Sequence, residues 1–213
     1  MKTINIVRRQ PALTIAPQAI AADNGELWLS SRDLGTFYKT SAGAWKVIDE
    51  VDPPGVVWAA VATSDGLRLT IGKGLNDDRY VYRYTRGEGF SKLFACPELT
   101  GSYLSFDGNY LYLSQWYKGL ILKVTNDGRV LEEIGVGEEI CGHTFADGAL
   151  YVLRGTEQNG ESWRIGRVPR NGSRPDVEDL ATIPFAPRSL TFDGEKFWSN
   201  HRAANETIAF TID

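Results

Sequence analysis

Two histidines, His143 and His201, are the side chains of this sequence best suited to exchange a proton near neutral pH. They are therefore its candidates for general-base catalysis. Arginines stand near both: Arg154 follows His143, while Arg188 and Arg202 lie to either side of His201. A guanidinium holds carboxylate or phosphate through paired N–H donors, so this set suits an anionic substrate, or an anionic ligand that undergoes no reaction. Cys141 stands two residues before His143. In a strand the two would share a face, where a thiolate and an imidazole could meet a metal with His201 as third ligand. No fourth ligand is evident, and Cys96 and Cys141 form no CxxC pair. The expectation is two buried thiols with no metal and no cofactor. Trp58, Tyr103, Trp116, Tyr117 and Trp163 add planar rings and Gln18 an amide, groups suited to holding a ligand.

Whether these residues meet depends on the elements that carry them. The chain has 213 residues, 42% hydrophobic and 23% charged, which suits one domain with its own core. A formal charge of −4 argues against a general nucleic-acid binder. The longest apolar runs are far short of a membrane helix. The opening MKTINIVRRQPALTI alternates like a strand instead of running apolar like a secretory signal. A cytoplasmic monomer without nucleic-acid or membrane partners is expected.

Apolar residues mostly alternate with polar ones, and turn signals such as Asp65-Gly66, Asp107-Gly108, Asp147-Gly148, Asn171-Gly172 and Asp193-Gly194 interrupt them. Five segments share one pattern: AIAADNGELWLSS, AAVATSDGLRLTI, YLSFDGNYLYLSQ, HTFADGALYVLRG and SLTFDGEKFWSNH. Anchored on Leu27, Leu67, Leu111, Leu150 and Phe197, they recur after 40, 44, 39 and 47 residues. That period is the length of a four-stranded propeller blade. The sequence thus predicts an all-β, five-bladed β-propeller of antiparallel blades. Their approximate ranges are 15–54, 55–98, 99–137, 138–184 and 185–213. The last blade runs out of chain after three strands, while Thr3–Arg8 precedes the first repeat without a partner. Pairing the two closes the ring and removes an open edge.

The unit "apolar-x-x-D-G-x-L-(W/Y)-apolar-S" with a later "I-x-K-V-x-x-D-G" is clearest at Leu104–Ser114 with Ile121–Gly128, and at Ile20–Ser30. It resembles repeats of the NHL, gluconolactonase and streptogramin-lyase-like propellers, a likeness of fold. Gluconolactonase-type enzymes carry a metal on a Glu opening the first blade; Pro17-Gln18 stands there in this chain, so no metal ligands transfer. Streptogramin-lyase-like propellers use a His near the channel mouth for elimination. By that resemblance His143 or His201 would be the base.

In such a ring, ligands bind where the inner strands begin and where the second and third strands of each blade are joined. That face gathers Gln18, Trp58, Tyr103, Trp116, His143, His201, Arg154, Arg188 and Arg202. It also carries two long loops, GKGLNDDR and GTEQNGES, as rims. The arginines and histidines place a cationic half-mouth over blades four and five. In the competing arrangement, Glu138, Glu139, Glu157 or Glu161 neutralises those arginines. Trp28, Tyr112, Tyr151 and Trp198 recur at one position of the repeat and are read as packing between blades. The leading reading is a non-catalytic module holding a small, anionic ligand or a protein partner on this face. The alternatives are a lyase or hydrolase with a histidine base, and a scaffold without a ligand.

Overall fold

The computed structural model describes residues 1–74, 78–157, 162–169 and 176–212. They form five antiparallel four-stranded blades, one of them extended by a two-residue parallel strand, arranged as a β-propeller. From the channel outward, blade one consists of Pro17–Asp23, Glu26–Ser31, Phe37–Ser41 and Lys46–Val51. Blade two is Val56–Thr63, Gly66–Gly72, Tyr80–Thr85 and Gly89–Ala95. Blade three is Leu104–Phe106, Leu111–Gln115, Leu120–Val124 and Val130–Gly135. Blade four is Glu139–Ala146, Ala149–Thr156, Ser162–Val168 and Glu178–Ile183. Blade five takes Pro187–Phe192, Phe197–His201 and Glu206–Thr211 from the end of the chain, and its outer strand, Asn5–Pro11, from the start.

The closing strand is displaced from the span expected. Asn5 lies opposite Thr211 and Pro11 opposite Glu206, whereas Lys2–Thr3 pair in parallel with the outer strand of blade four. Ile4 separates the two pieces because its side chain turns into a core shared with Ile183, Ile208 and Phe210. The turn at Asn171-Gly172 lies outside the described residues.

The repeat's residue types have local causes. The turn aspartate accepts hydrogen bonds from backbone N–H groups within the turn, as Asp107 does from Asn109 and Tyr110 and Asp193 from Glu195 and Lys196. Its other oxygen takes the polar tip of the aromatic five residues on: Trp28 Nε1 on Asp23, Tyr112 hydroxyl on Asp107, Trp198 Nε1 on Asp193. The ring bodies are thereby fixed against the following blade. Trp28 meets Tyr84, Tyr112 meets Phe145, Tyr151 meets Phe197, and Trp198 stacks on Trp45 at 6.0 Å. The core accordingly consists of apolar layers between neighbouring blades.

The small polar residue that ends the motif works inside the ring. Ser30 Oγ accepts the Ala19 N–H at 2.9 Å and donates to the Val57 carbonyl of blade two at 2.7 Å. Ser114 likewise accepts the Tyr103 N–H at 3.0 Å. These hydroxyls satisfy backbone groups at the start of the inner strands of blades one and three. Ser30→Ala would leave a buried N–H and a buried carbonyl unpaired and is expected to cost about 1–3 kcal/mol. Denaturant unfolding of the variant checks this.

Candidate functional site

The inner strands bulge at one end of the channel. Register breaks fall between Pro17 and Ile20, Val57 and Ala59, Ile140 and Gly142, and Arg188 and Thr191. An extra residue there bends the strand and re-aims a side chain. Ladder register makes Gln18, Trp58, Ser102, Cys141 and Arg188 equivalent. Each stands three residues before Ala21, Val61, Ser105, Thr144 or Thr191, the ladder partners of Trp28, Arg68, Tyr112, Tyr151 and Trp198. All five are buried. At the next level the equivalent residues are Ala19, Ala59, Tyr103, Gly142 and Ser189, so the Tyr103 phenol has no rival of its size there.

A cleft of about 410 Å³ opens above Tyr103, bordered by Gln18, Trp58, Arg79, Trp116, Tyr117 and Arg202, with Arg32, Glu98 and Lys118 at its edge. Gln18 donates to the Trp58 carbonyl at 3.0 Å and accepts from Arg202. Arg79 donates to the Gly101 carbonyl at 2.8 Å and lies over the Trp58 ring, 4.1 Å from its centre. Arg188 lies 5.1 Å from the centre of the Trp116 ring. Two arginine–tryptophan stacks therefore border the mouth. Trp116 and Tyr117 stack at 5.5 Å on a single 3-10 turn, beside which Lys118 binds both carboxylate oxygens of Glu98 at 2.7 and 2.6 Å.

Burial dominates the electrostatics. It pushes the Tyr103 phenol well above its ordinary pKa, the neighbouring Cys141 adding to the shift and Arg188, Arg202 and Arg79 opposing it. The phenol thus remains a neutral donor. Burial also holds Arg202 below the usual arginine value, opposed by Tyr103 and reinforced by the like charges of Arg188 and Arg32. Cys141 is pushed up to about 12 by burial despite Arg188, whose Nη1 lies 3.4 Å from its sulfur. It is a thiol, not a nucleophilic thiolate.

The cationic half-mouth expected over blades four and five is not what the structure builds. Arg154 turns away into the groove between blades three and four, bonded to Asp179 at 3.0 Å and to the Val136 and Val177 carbonyls. Arg188 is capped by Glu157, one of the four acids foreseen as its counter-charge, and bonds the Pro187 carbonyl at 2.7 Å. Glu138 pairs with Arg164 instead, and Glu161 lies outside the described residues, as does part of each long loop. Of the arginines singled out, Arg202 alone lines the cleft, which extends over blades one to three.

The histidines stand apart from the cleft. His143 is fully buried and ties the inner strands of blades three and four together. Its Nε2 lies 3.3 Å from the Tyr103 carbonyl and its Nδ1 2.7 Å from Ser105 Oγ. A carbonyl only accepts, so Nε2 carries the proton and Nδ1 accepts from the serine. Burial lowers its pKa to about 3, so both nitrogens are occupied in a neutral ring. His201 lies beside Phe185, its Nδ1 3.7 Å from Glu206. Cys141 and His143 do not converge, and no cluster of three or more His, Cys, Asp or Glu gathers among the described residues.

Gln18, Trp58, Tyr103, Trp116 and Arg202 are brought together as the sequence suggested, whereas Arg79, Arg32, Glu98 and Lys118 were not singled out. Arg79 and Arg32 had a visible signal, since both lie in loops joining second to third strands. Glu98 had none, for it sits on a 3-10 turn, Pro97–Leu99, outside the repeat.

No protein-family model matches the chain, and no curated protein matches its sequence. Solved β-propellers do match its fold. Glutaminyl cyclase of Myxococcus xanthus aligns over 100% of this chain and 97% of its own, with 13% identity and a TM-score of 0.71. Regucalcin of Agrobacterium tumefaciens, a calcium-binding protein, aligns over 100% and 96% with 14% identity and a TM-score of 0.62. Virginiamycin B lyase of Staphylococcus aureus aligns over 97% and 99% with 14% identity and a TM-score of 0.56. At such identities the likeness is one of fold, and the chain is a five-bladed β-propeller similar in fold to both enzymes and binding proteins.

Proposed function

We propose that this propeller binds a small anionic molecule in the cleft above Tyr103 without transforming it. The observation that carries this reading is Arg202. It is a largely buried cation whose hydrogen bond goes to an amide, Gln18, not to a carboxylate; Arg188 and Arg32 add like charge nearby, offset in part by Asp33, which pairs with Arg32, and by Glu157 on Arg188. An anion in the cleft would relieve that repulsion and gain a guanidinium partner away from bulk water. Arg79 and the Lys118–Glu98 pair extend the polar border. An enzymatic reading would need a base at the cleft floor, and there the floor is a neutral phenol. His143 is engaged within the wall, and His201 is not among the residues bordering the cleft.

Calorimetry with inorganic phosphate, sulfate and acetate tests the proposal. Binding is expected for at least one of these probes, weakening as ionic strength rises. In Arg202→Gln it should be at least tenfold weaker, with melting followed in parallel to verify folding. Equal affinity in a folded Arg202→Gln, or no binding of any of the three, would refute it.

A further inference from the structure

We infer that the ligand is an aryl-bearing oxyanion, its planar ring adding the next layer to the Trp116–Tyr117 stack. This rests on the anion-binding reading and deepens it. Three side chains that border the cleft hold buried N–H donors without a partner: Trp58 Nε1, Trp116 Nε1 and Arg202 Nε. Each unpaired buried N–H is costly. A head group made only of acceptors, such as a carboxylate or phosphate, answers this set.

The ring follows from a separate observation. Tyr117 is 90% exposed, the most exposed large hydrophobic side chain among the described residues, yet it lies on the cleft border. Its inner face is stacked on Trp116, nearly parallel at 16°. The turn beneath is held by Gly119, whose N–H bonds the Trp116 carbonyl at 3.0 Å. Gly119 is in the left-handed region at φ 58°, and an added Cβ would lie 2.7 Å from the Glu138 carbonyl oxygen. A platform so fixed offers an apolar face at little further ordering cost, and a ligand ring would bury it. Size agrees, because a cleft of about 410 Å³ far exceeds a bare ion and falls within the range of pockets that hold small organic molecules.

The test is calorimetry on the full chain with two matched pairs: inorganic phosphate against phenyl phosphate, and acetate against benzoate. The aryl member of at least one pair is expected to bind at least tenfold more tightly than its bare partner. Tyr117→Ala should abolish most of that gain, while Tyr117→Phe should retain it. Because Tyr117 is exposed, both variants should fold. If bare anions bind but the aryl forms bind no better, or if the gain survives Tyr117→Ala, the aryl inference falls and anion binding stands. If no member of either pair binds, the anion reading fails and takes this inference with it.

Discussion

Removing residues 1–11 is expected to destabilise the protein by about 5 kcal/mol or more, beyond the range of ordinary single substitutions. The segment clasps three blades. Asn5–Pro11 supply the outer ladder of blade five, and Lys2–Thr3 pair with blade four. Arg8 donates to the Ala42 and Gly43 carbonyls of blade one, and the Pro11 carbonyl accepts from Trp45 Nε1 at 2.8 Å. Net hydrogen bonds of about 1 kcal/mol each and burial of Ile4, worth about 1.5–3 kcal/mol, account for the size. Truncation would also bare the Glu206–Thr211 edge, which invites association between chains. Denaturant unfolding with light scattering measures both effects. A truncated chain with the unfolding midpoint of the intact protein would show that the clasp contributes nothing to closure.

The second large effect is an acid destabilisation centred on His143. Its folded pKa lies near 3, whereas in the unfolded chain it returns to the ordinary value of about 6.5. Between those values the unfolded state binds a proton that the folded state refuses, so stability falls as pH falls. Each pH unit in this window costs about 1.4 kcal/mol. Between about pH 7.5 and pH 5 the loss should reach about 2 kcal/mol. Carboxylates act lower. Asp65 is held below its ordinary value by the Arg68 guanidinium and Asp127 by the Thr125 hydroxyl, and each loses its contribution only as pH drops below about 4. Urea unfolding of wild type and His143→Gln at the two pH values isolates the histidine. The variant is expected to be less stable at neutral pH but to lose less on acidification. Parallel pH dependence in the two proteins would contradict the assignment.

The outcome for the histidines shows where reading residues in order stops being informative. A strand places His143 next to Cys141 in sequence, yet the bulge between Ile140 and Gly142 re-aims the chain, sending the imidazole to Ser105 and Tyr103 of the neighbouring blade. Arg154 resembled Arg188 and Arg202 as a loop-proximal cation, but Asp179, distant in sequence, draws it into an inter-blade groove. Arg202 and Gln18 are 184 positions apart and touch because the ring closes. Such pairings depend on side-chain direction and on competition between partners distant in sequence, which local pattern does not encode.

What the sequence by itself determined is the ring: five repeats of an Asp-containing turn and a short strand with an aromatic or long side chain, and a leading strand without a local partner. Those features are legible because they are local and periodic. In blades one, three and five the turn aspartate takes the polar tip of the ring five residues on, so those repeats carry their own geometry. It also determined the face, since the bulge positions Gln18, Trp58 and Arg188 recur at fixed distances from the repeat. Only the tertiary structure decided where on that face the cleft lies and which charges enter it. That choice follows from long-range competition among guanidiniums for carboxylates and carbonyls, and from one large phenol set among small residues at the channel floor.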